Sequence, residues 1–133
     1  MNITIRKFTA KDTTAWDEFV EKSNNGTIFH LRSFLSYHID RKFKDNSLIF
    51  EKKGEMIGLF SAAIIEEERE KNLHSHPGAS FGGFIFIKLS FQDAESILKT
   101  LEDYCCQNKF NKIFFIQSPT NYYNKIDDTM EYL

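Results

Sequence analysis

The 133-residue chain has few cysteines, no large excess of either charge and no long apolar run, and each shortage removes a class of function. Its two cysteines, Cys105 and Cys106, are adjacent. They neither close a loop nor supply the spaced pairs of a zinc site, and a reducing compartment suits them. With 17 basic against 19 acidic residues the net charge is -2, which provides no field for gripping phosphates and disfavours unaided nucleic-acid binding. No window approaches the roughly 18 consecutive apolar residues of a membrane span, and the start MNITIRKF lacks the apolar stretch of a secretory signal. A cytoplasmic location is the resulting expectation. What is present is 41% hydrophobic and 15% aromatic sequence with 14 phenylalanines. A chain this long buries roughly two-thirds of its unfolded surface, so these residues describe one globular domain over 1–133, too short for a complete two-domain enzyme.

Ile3 and Ile5 alternate with Thr4 and Arg6, and Thr9-Ala10-Lys11-Asp12 is a helix-start signal, so a short strand leads into a helix. The helix is predicted over Thr13 to Lys22, because Trp16, Phe19 and Val20 share one face while Asp17, Glu18, Glu21 and Lys22 face water. Ser23-Asn24-Asn25-Gly26 ends it. Leu31, Phe34, Leu35 and His38 repeat the helical spacing and predict a second short helix. Ser47 to Lys53 and Glu55 to Ile65 read as an antiparallel hairpin turning at Lys53-Gly54. The charged run Glu66 to Lys71 is expected to be a solvated link to a strand near Leu73. A stretch of small residues, His74 to Gly83, interrupts pairing before Phe84 to Lys88 resumes it. Ser90 with Asp93 resembles a capping box, and Ala94, Ile97, Leu98, Leu101, Tyr104 and Cys105 make one stripe, so a third helix follows and then a strand over Lys112 to Gln117. Helices interleaved with a hairpin predict an α/β fold, a mixed sheet with helices packed on it. Asp128-Thr129-Met130-Glu131 has the spacing of another capping box, with only Tyr132-Leu133 after it. A helix needs several turns to offset nucleation, so the expectation is the front half of a longer protein; the plainer reading is a polar tail with a chance match.

Gly78-Ala79-Ser80-Phe81-Gly82 spells the G-x-S-x-G nucleophile elbow, but a strand-like run follows where a helix must, and no histidine follows to act as base. A hydrolase is therefore disfavoured. The glycines instead suit close approach of backbone to a ligand, with Ser80 offering a hydroxyl, or simply a bend between strands. His74 and His76 alternate along an extended segment as two metal ligands would, yet no spacing nominates a third, so no metal is expected. A histidine base is the more natural chemistry, since imidazole accepts a proton from an amine near neutral pH. His38, on the apolar face of the second helix, is more often a satisfied core histidine than a catalyst, and His30 and Tyr37 are similarly ambiguous, each able to anchor a loop by one hydrogen bond. Arg41-Lys42-Phe43-Lys44 reads as a solvated helix end more readily than a phosphate site.

Taken together, Trp16-Asp17-Glu18-Phe19-Val20, Asn25-Gly26-Thr27-Ile28-Phe29-His30 with Phe34-Leu35 and Tyr37-His38, and above all His76-Pro77-Gly78-Ala79-Ser80-Phe81-Gly82-Gly83 resemble the amino-terminal half of the FemAB-like acyltransferases, within the wider GNAT-related superfamily. The hairpin with Gly54 and Gly58 is similar to the central hairpin of a GNAT sheet. The resemblance implies a GNAT-like fold, one of two lobes, and transfer of an acyl or aminoacyl group to an amine of a cell-envelope or sugar precursor. The implied catalytic residues are His76 and Ser80; Ser75, Gly82 and Gly83 join His30, Tyr37 and His38 on the substrate side. The implied donor is acyl-CoA, aminoacyl-tRNA being disfavoured by the near-neutral charge, and no cofactor is tightly held. The sequence departs from an autonomous GNAT enzyme at Ile87-Lys88-Leu89-Ser90, where the glycine-rich turn that cradles pyrophosphate is missing. Donor binding is then expected from a second lobe, through an apolar face that otherwise promotes self-association. The alternative is a noncatalytic GNAT-like interaction module, inactive even with a second lobe supplied.

Overall fold

In a computed structural model, residues 3–24, 30–32, 44–67, 69–75, 83–87 and 90–114 are described. The chain forms β1 (Ile3–Lys7), a 3-10 turn (Ala10–Asp12), α1 (Thr13–Lys22), β2 (Lys44–Asp45), β3 (Leu48–Lys52), β4 (Glu55–Glu67), β5 (Glu70–Ser75), β6 (Gly83–Phe86), α2 (Phe91–Gln107) and β7 (Lys112–Phe114). The sheet runs β1-β3-β4-β5-β7, with β2 and β6 also paired to β4. All pairings are antiparallel except β5 with β7, so the sheet is mixed, as expected of the α/β class.

The first hairpin turns where the sequence says it should. Lys53 (φ 54) and Gly54 (φ 81) both take left-handed backbone, the combination that matches the twist of the flanking strands. Further along, Phe50 pairs with Gly58 but Glu51 with Met56, leaving Ile57 as the extra residue of a bulge. The run Glu66 to Lys71 is not a link. Glu66 pairs with Lys71 and Glu67 with Glu70, so it is the end of a second tight hairpin, turning through Arg69 at φ 75. The charges mark strand ends extending into water, and the turn lacks the glycine or asparagine that would have announced it.

Because side chains alternate along strands, the sheet has two faces with separate cores. On one, Leu48, Phe50, Phe60, Ala62, Leu73, Phe84 and Phe86 meet Ala94, Ile97, Leu101 and Cys105 of α2. Phe60 and Phe84 stack with ring centroids 4.8 Å apart. Gly58 lies on this face, where an added Cβ would meet Ile97 Cδ1 at 3.5 Å. On the other face Trp16, Phe19 and Val20 of α1 cover Ile49, Leu59 and Ile85. Helix α1 has its predicted limits, and α2 starts as predicted, Ser90 Oγ accepting from Asp93 N at 3.0 Å. The strand expected over 84–88 runs from Gly83 to Phe86 and ends at exposed Ile87. Most of the second short helix, the strand beyond Phe114 and the C-terminal capping box lie outside the described residues. Among the described residues no helix is long and apolar enough to cross a membrane.

Candidate functional site

The α1-side face changes character along its strands. The row Ile49–Leu59–Ile85 is apolar and covered by α1. Two residues further along β4, Ser61 faces Gly83, and two further still Asp45, Ala63 and His74 form one row across β2, β4 and β5. Directly paired residues share a face, so small and polar side chains replace the apolar floor where α1 no longer covers it. Ser61 and Ala63 are fully buried and His74 is half-buried.

Arg32 stands over this patch. It is only 5% exposed. Its Nη1 donates to Ser47 Oγ at 3.0 Å, and Nη2 pairs with Asp45 Oδ1 at 3.2 Å. The Ser47 hydroxyl donates to Asp45 Oδ1 at 2.9 Å and accepts from the Ala62 amide at 3.2 Å, which ties the ion pair to β4. The guanidinium lies 3.8 Å from the Phe8 ring centroid and 5.1 Å from that of Trp16. Burial pulls Arg32 below its ordinary value while Asp45 opposes the shift; a guanidinium still keeps its proton. Asp17 Oδ1 accepts from Arg32 N at 2.8 Å, and Trp16 Nε1 donates to His30 O at 2.7 Å, so α1 fixes residues 30–32 beside the patch.

The edge of β4 is shared in an unusual way. Ser75, at the end of β5, faces Ala62, and Gly83, at the start of β6, faces Ser61. The chain therefore leaves and rejoins this edge at consecutive register positions. Of the residues nominated from sequence, fully buried His30 flanks the patch and Gly83 borders it, whereas Ser75 faces the α2 side with Ala62. Tyr37, His38, His76, Ser80 and Gly82 lie outside the described residues. Sequence reading passed over Arg32, Asp45, Ser47 and Ser61. The polar triplet Asp45-Asn46-Ser47 before a strand, and a serine inside the apolar run from Gly58 to Ile65, were the available signals. Among the described residues no group of three or more His, Cys, Asp or Glu could hold a metal.

The start of α2 is poorly suited to pyrophosphate. Its Asp93 amide is taken by Ser90, and the Asp93 carboxylate, 3.1 Å from Lys52 Nζ, already places an anion in the first turn. Ile87 and Phe91 around it are 47% and 53% exposed.

No family model and no curated protein sequence matches the chain. Solved structures do match its fold. A GNAT family acetyltransferase of Staphylococcus aureus superposes with a TM-score of 0.59 at 14% identity, over 94% of this chain and 93% of that one. The protein TTHA1254 of Thermus thermophilus gives 0.55 at 11% identity, over 99% and 83%. At such identities the likeness concerns architecture alone: the chain has a GNAT-like fold.

Proposed function

We propose that this chain, on its GNAT-like sheet, is a cytoplasmic N-acyltransferase domain that passes an acyl group from an activated donor to an amine of a cell-envelope or sugar precursor. The observation supporting this reading is the interrupted edge of β4. Ser75 and Gly83 pair with neighbouring Ala62 and Ser61, so both ends of segment 76–82 are anchored at one point of the sheet, beside the polar patch of Arg32, Asp45 and His74. N-acyl transfer needs a base to free the amine lone pair and donors to hold the developing oxyanion. In this reading His76 is the base and Ser80 supplies a hydroxyl, while His30, Tyr37, His38, Gly82, Gly83 and the backbone of Ser75 line the acceptor side.

The donor is acyl-CoA rather than aminoacyl-tRNA, in keeping with the net charge of -2. The acidic first turn of α2 leaves the CoA phosphates to be gripped elsewhere, by a second GNAT-like lobe that meets this one near exposed Ile87 and Phe91. Two measurements test the reading. Acetyl-CoA added to this chain alone should shift its melting temperature little, and a large shift at modest ligand would reveal a complete donor site and refute the half-cleft assignment. Acetyl transfer to amino sugars or short amine-bearing peptides, followed by mass spectrometry, should appear once the chain is extended through the next lobe. Failure on every amine would refute the enzyme and leave an interaction module.

A further inference from the structure

Three buried polar atoms have no hydrogen-bond partner among the described residues: Arg32 Nε, Ser61 Oγ and Asn72 Oδ1. Arg32 is satisfied at its other nitrogens, and Asn72 stands farther along the sheet, opposite Ile65. Ser61 is different. Its hydroxyl is its whole polar side chain, it is fully buried, and its neighbours Ala62 and Ala63 show that alanine fits this stretch of β4. Burying a hydroxyl without a partner costs stability that alanine would not, so its presence calls for a partner beyond the described residues, and a bound substrate is one.

The register says where that partner would sit. Ser61 is two residues from Ala63, and Ala63 faces His74, so Ser61 and His74 are diagonal neighbours on one face. Diagonal pairs on antiparallel strands are about 7–8 Å apart, enough to hold one reacting group between a hydroxyl and an imidazole. The residue directly facing Ser61 is Gly83, whose lack of a side chain leaves the hydroxyl no cross-strand partner there.

Resting on the acyltransferase reading, we infer that Ser61 and His74 are two further catalytic residues, Ser61 Oγ–H contacting the acyl carbonyl oxygen and His74 contacting the attacking amine. The amine lone pair forms the new C–N bond, and the carbonyl π pair moves onto an oxygen held by the Ser61 hydroxyl. His76 having freed that lone pair by taking the ammonium proton, His74 takes the second proton, which the nitrogen sheds once the C–N bond has formed. Collapse re-forms C=O, breaks the C–S bond of the thioester, and releases a thiolate that receives the proton from His74, giving amide and thiol.

The test uses whichever preparation transfers acetyl groups from acetyl-CoA, this chain alone or extended through the next lobe. Ser61→Ala is expected to melt at or above the wild-type temperature while kcat falls about 100-fold with little change in donor KM, and Ser61→Thr, which keeps the hydroxyl, should recover part of the loss. His74→Gly should lose activity and regain part of it when imidazole is added. Wild-type turnover in Ser61→Ala, or a fall in its melting temperature that accounts for its lost activity, overturns the role of Ser61 and leaves the acyltransferase reading standing. Lack of imidazole rescue in a folded His74→Gly overturns the role of His74. A wild type that acylates no amine overturns the acyltransferase reading and both roles with it.

Discussion

The two faces of this sheet are made by the same strands and yet are built on opposite principles. The α2 side has an apolar centre, with Phe50, Phe60, Phe84 and Phe86 under one helix stripe, and polar residues such as Lys52 and Ser75 only at its margins. The α1 side is apolar only beneath α1 and then gives way to Ser61, Asp45 and His74, with a buried arginine above them. Among the described residues Arg32 Nε and Ser61 Oγ, both on the α1 side, are buried without partners, a cost that stability alone does not require. Both faces contribute folding energy through their cores, but only the α1 side also carries buried polar groups without described partners.

The sharpest way to break this contrast is to cut into each face. Phe60→Ala removes a fully buried ring stacked on Phe84 and should cost about 3–5 kcal/mol by urea unfolding. Asp45→Ala leaves Arg32 buried without its counter-charge and should cost about 3 kcal/mol, most of which returns when Arg32→Met is added, since an apolar replacement of a buried pair is close to neutral. If the double variant stays as unstable as Asp45→Ala, the ion pair is a structural keystone and the contrast fails. Gly54→Ala, in the turn both faces share, should cost about 1 kcal/mol because its φ of 81 strains any residue with a Cβ.

The smallest effects lie in pH, and the two sides contribute opposite limbs. Hydrogen bonds from Arg6 hold Asp12, at the entrance to α1, well below the usual carboxylate range. Its folded pKa is depressed, so its contribution is present above the unfolded value and is lost as pH falls through the folded one; Asp12→Asn should flatten the acid limb of the urea midpoint. On the α2 side, burial pushes the Cys105 thiol up to about 11, with Cys106 adding to the shift. That contribution is full below about pH 9 and is lost as pH rises through about 11, so Cys105→Ala should flatten the alkaline limb. Exposed Cys106 should react with iodoacetamide well before Cys105 does, and equal rates would place both on a loose surface.

The legible parts of the fold were those in which local pattern and global packing agree. Trp16, Phe19 and Val20 announce α1 because a single apolar stripe at helical spacing has one use, and Lys53-Gly54 announces its hairpin because glycine accepts a positive φ without strain. The second hairpin went unread because Arg69 takes its positive φ without any of the usual turn residues, so only pairing of the flanking strands reveals it. The candidate site divides in the same way. His74 could be nominated as imidazole chemistry from sequence, but Ser61 looked like one more strand residue. Nothing local distinguishes a buried hydroxyl with a partner from one without.

By itself, then, the order of residues determined α1, the start of α2, the first hairpin and the mixed α/β class, because each depends on spacings of a few residues. Tertiary structure alone decided that Asp45, Ala63 and His74 share a row, that Ser61 lies diagonal to His74, and that Arg32 stands buried against the rings of Phe8 and Trp16. Those relations join residues far apart in the chain through strand register, and register is set only when the two faces find their separate cores.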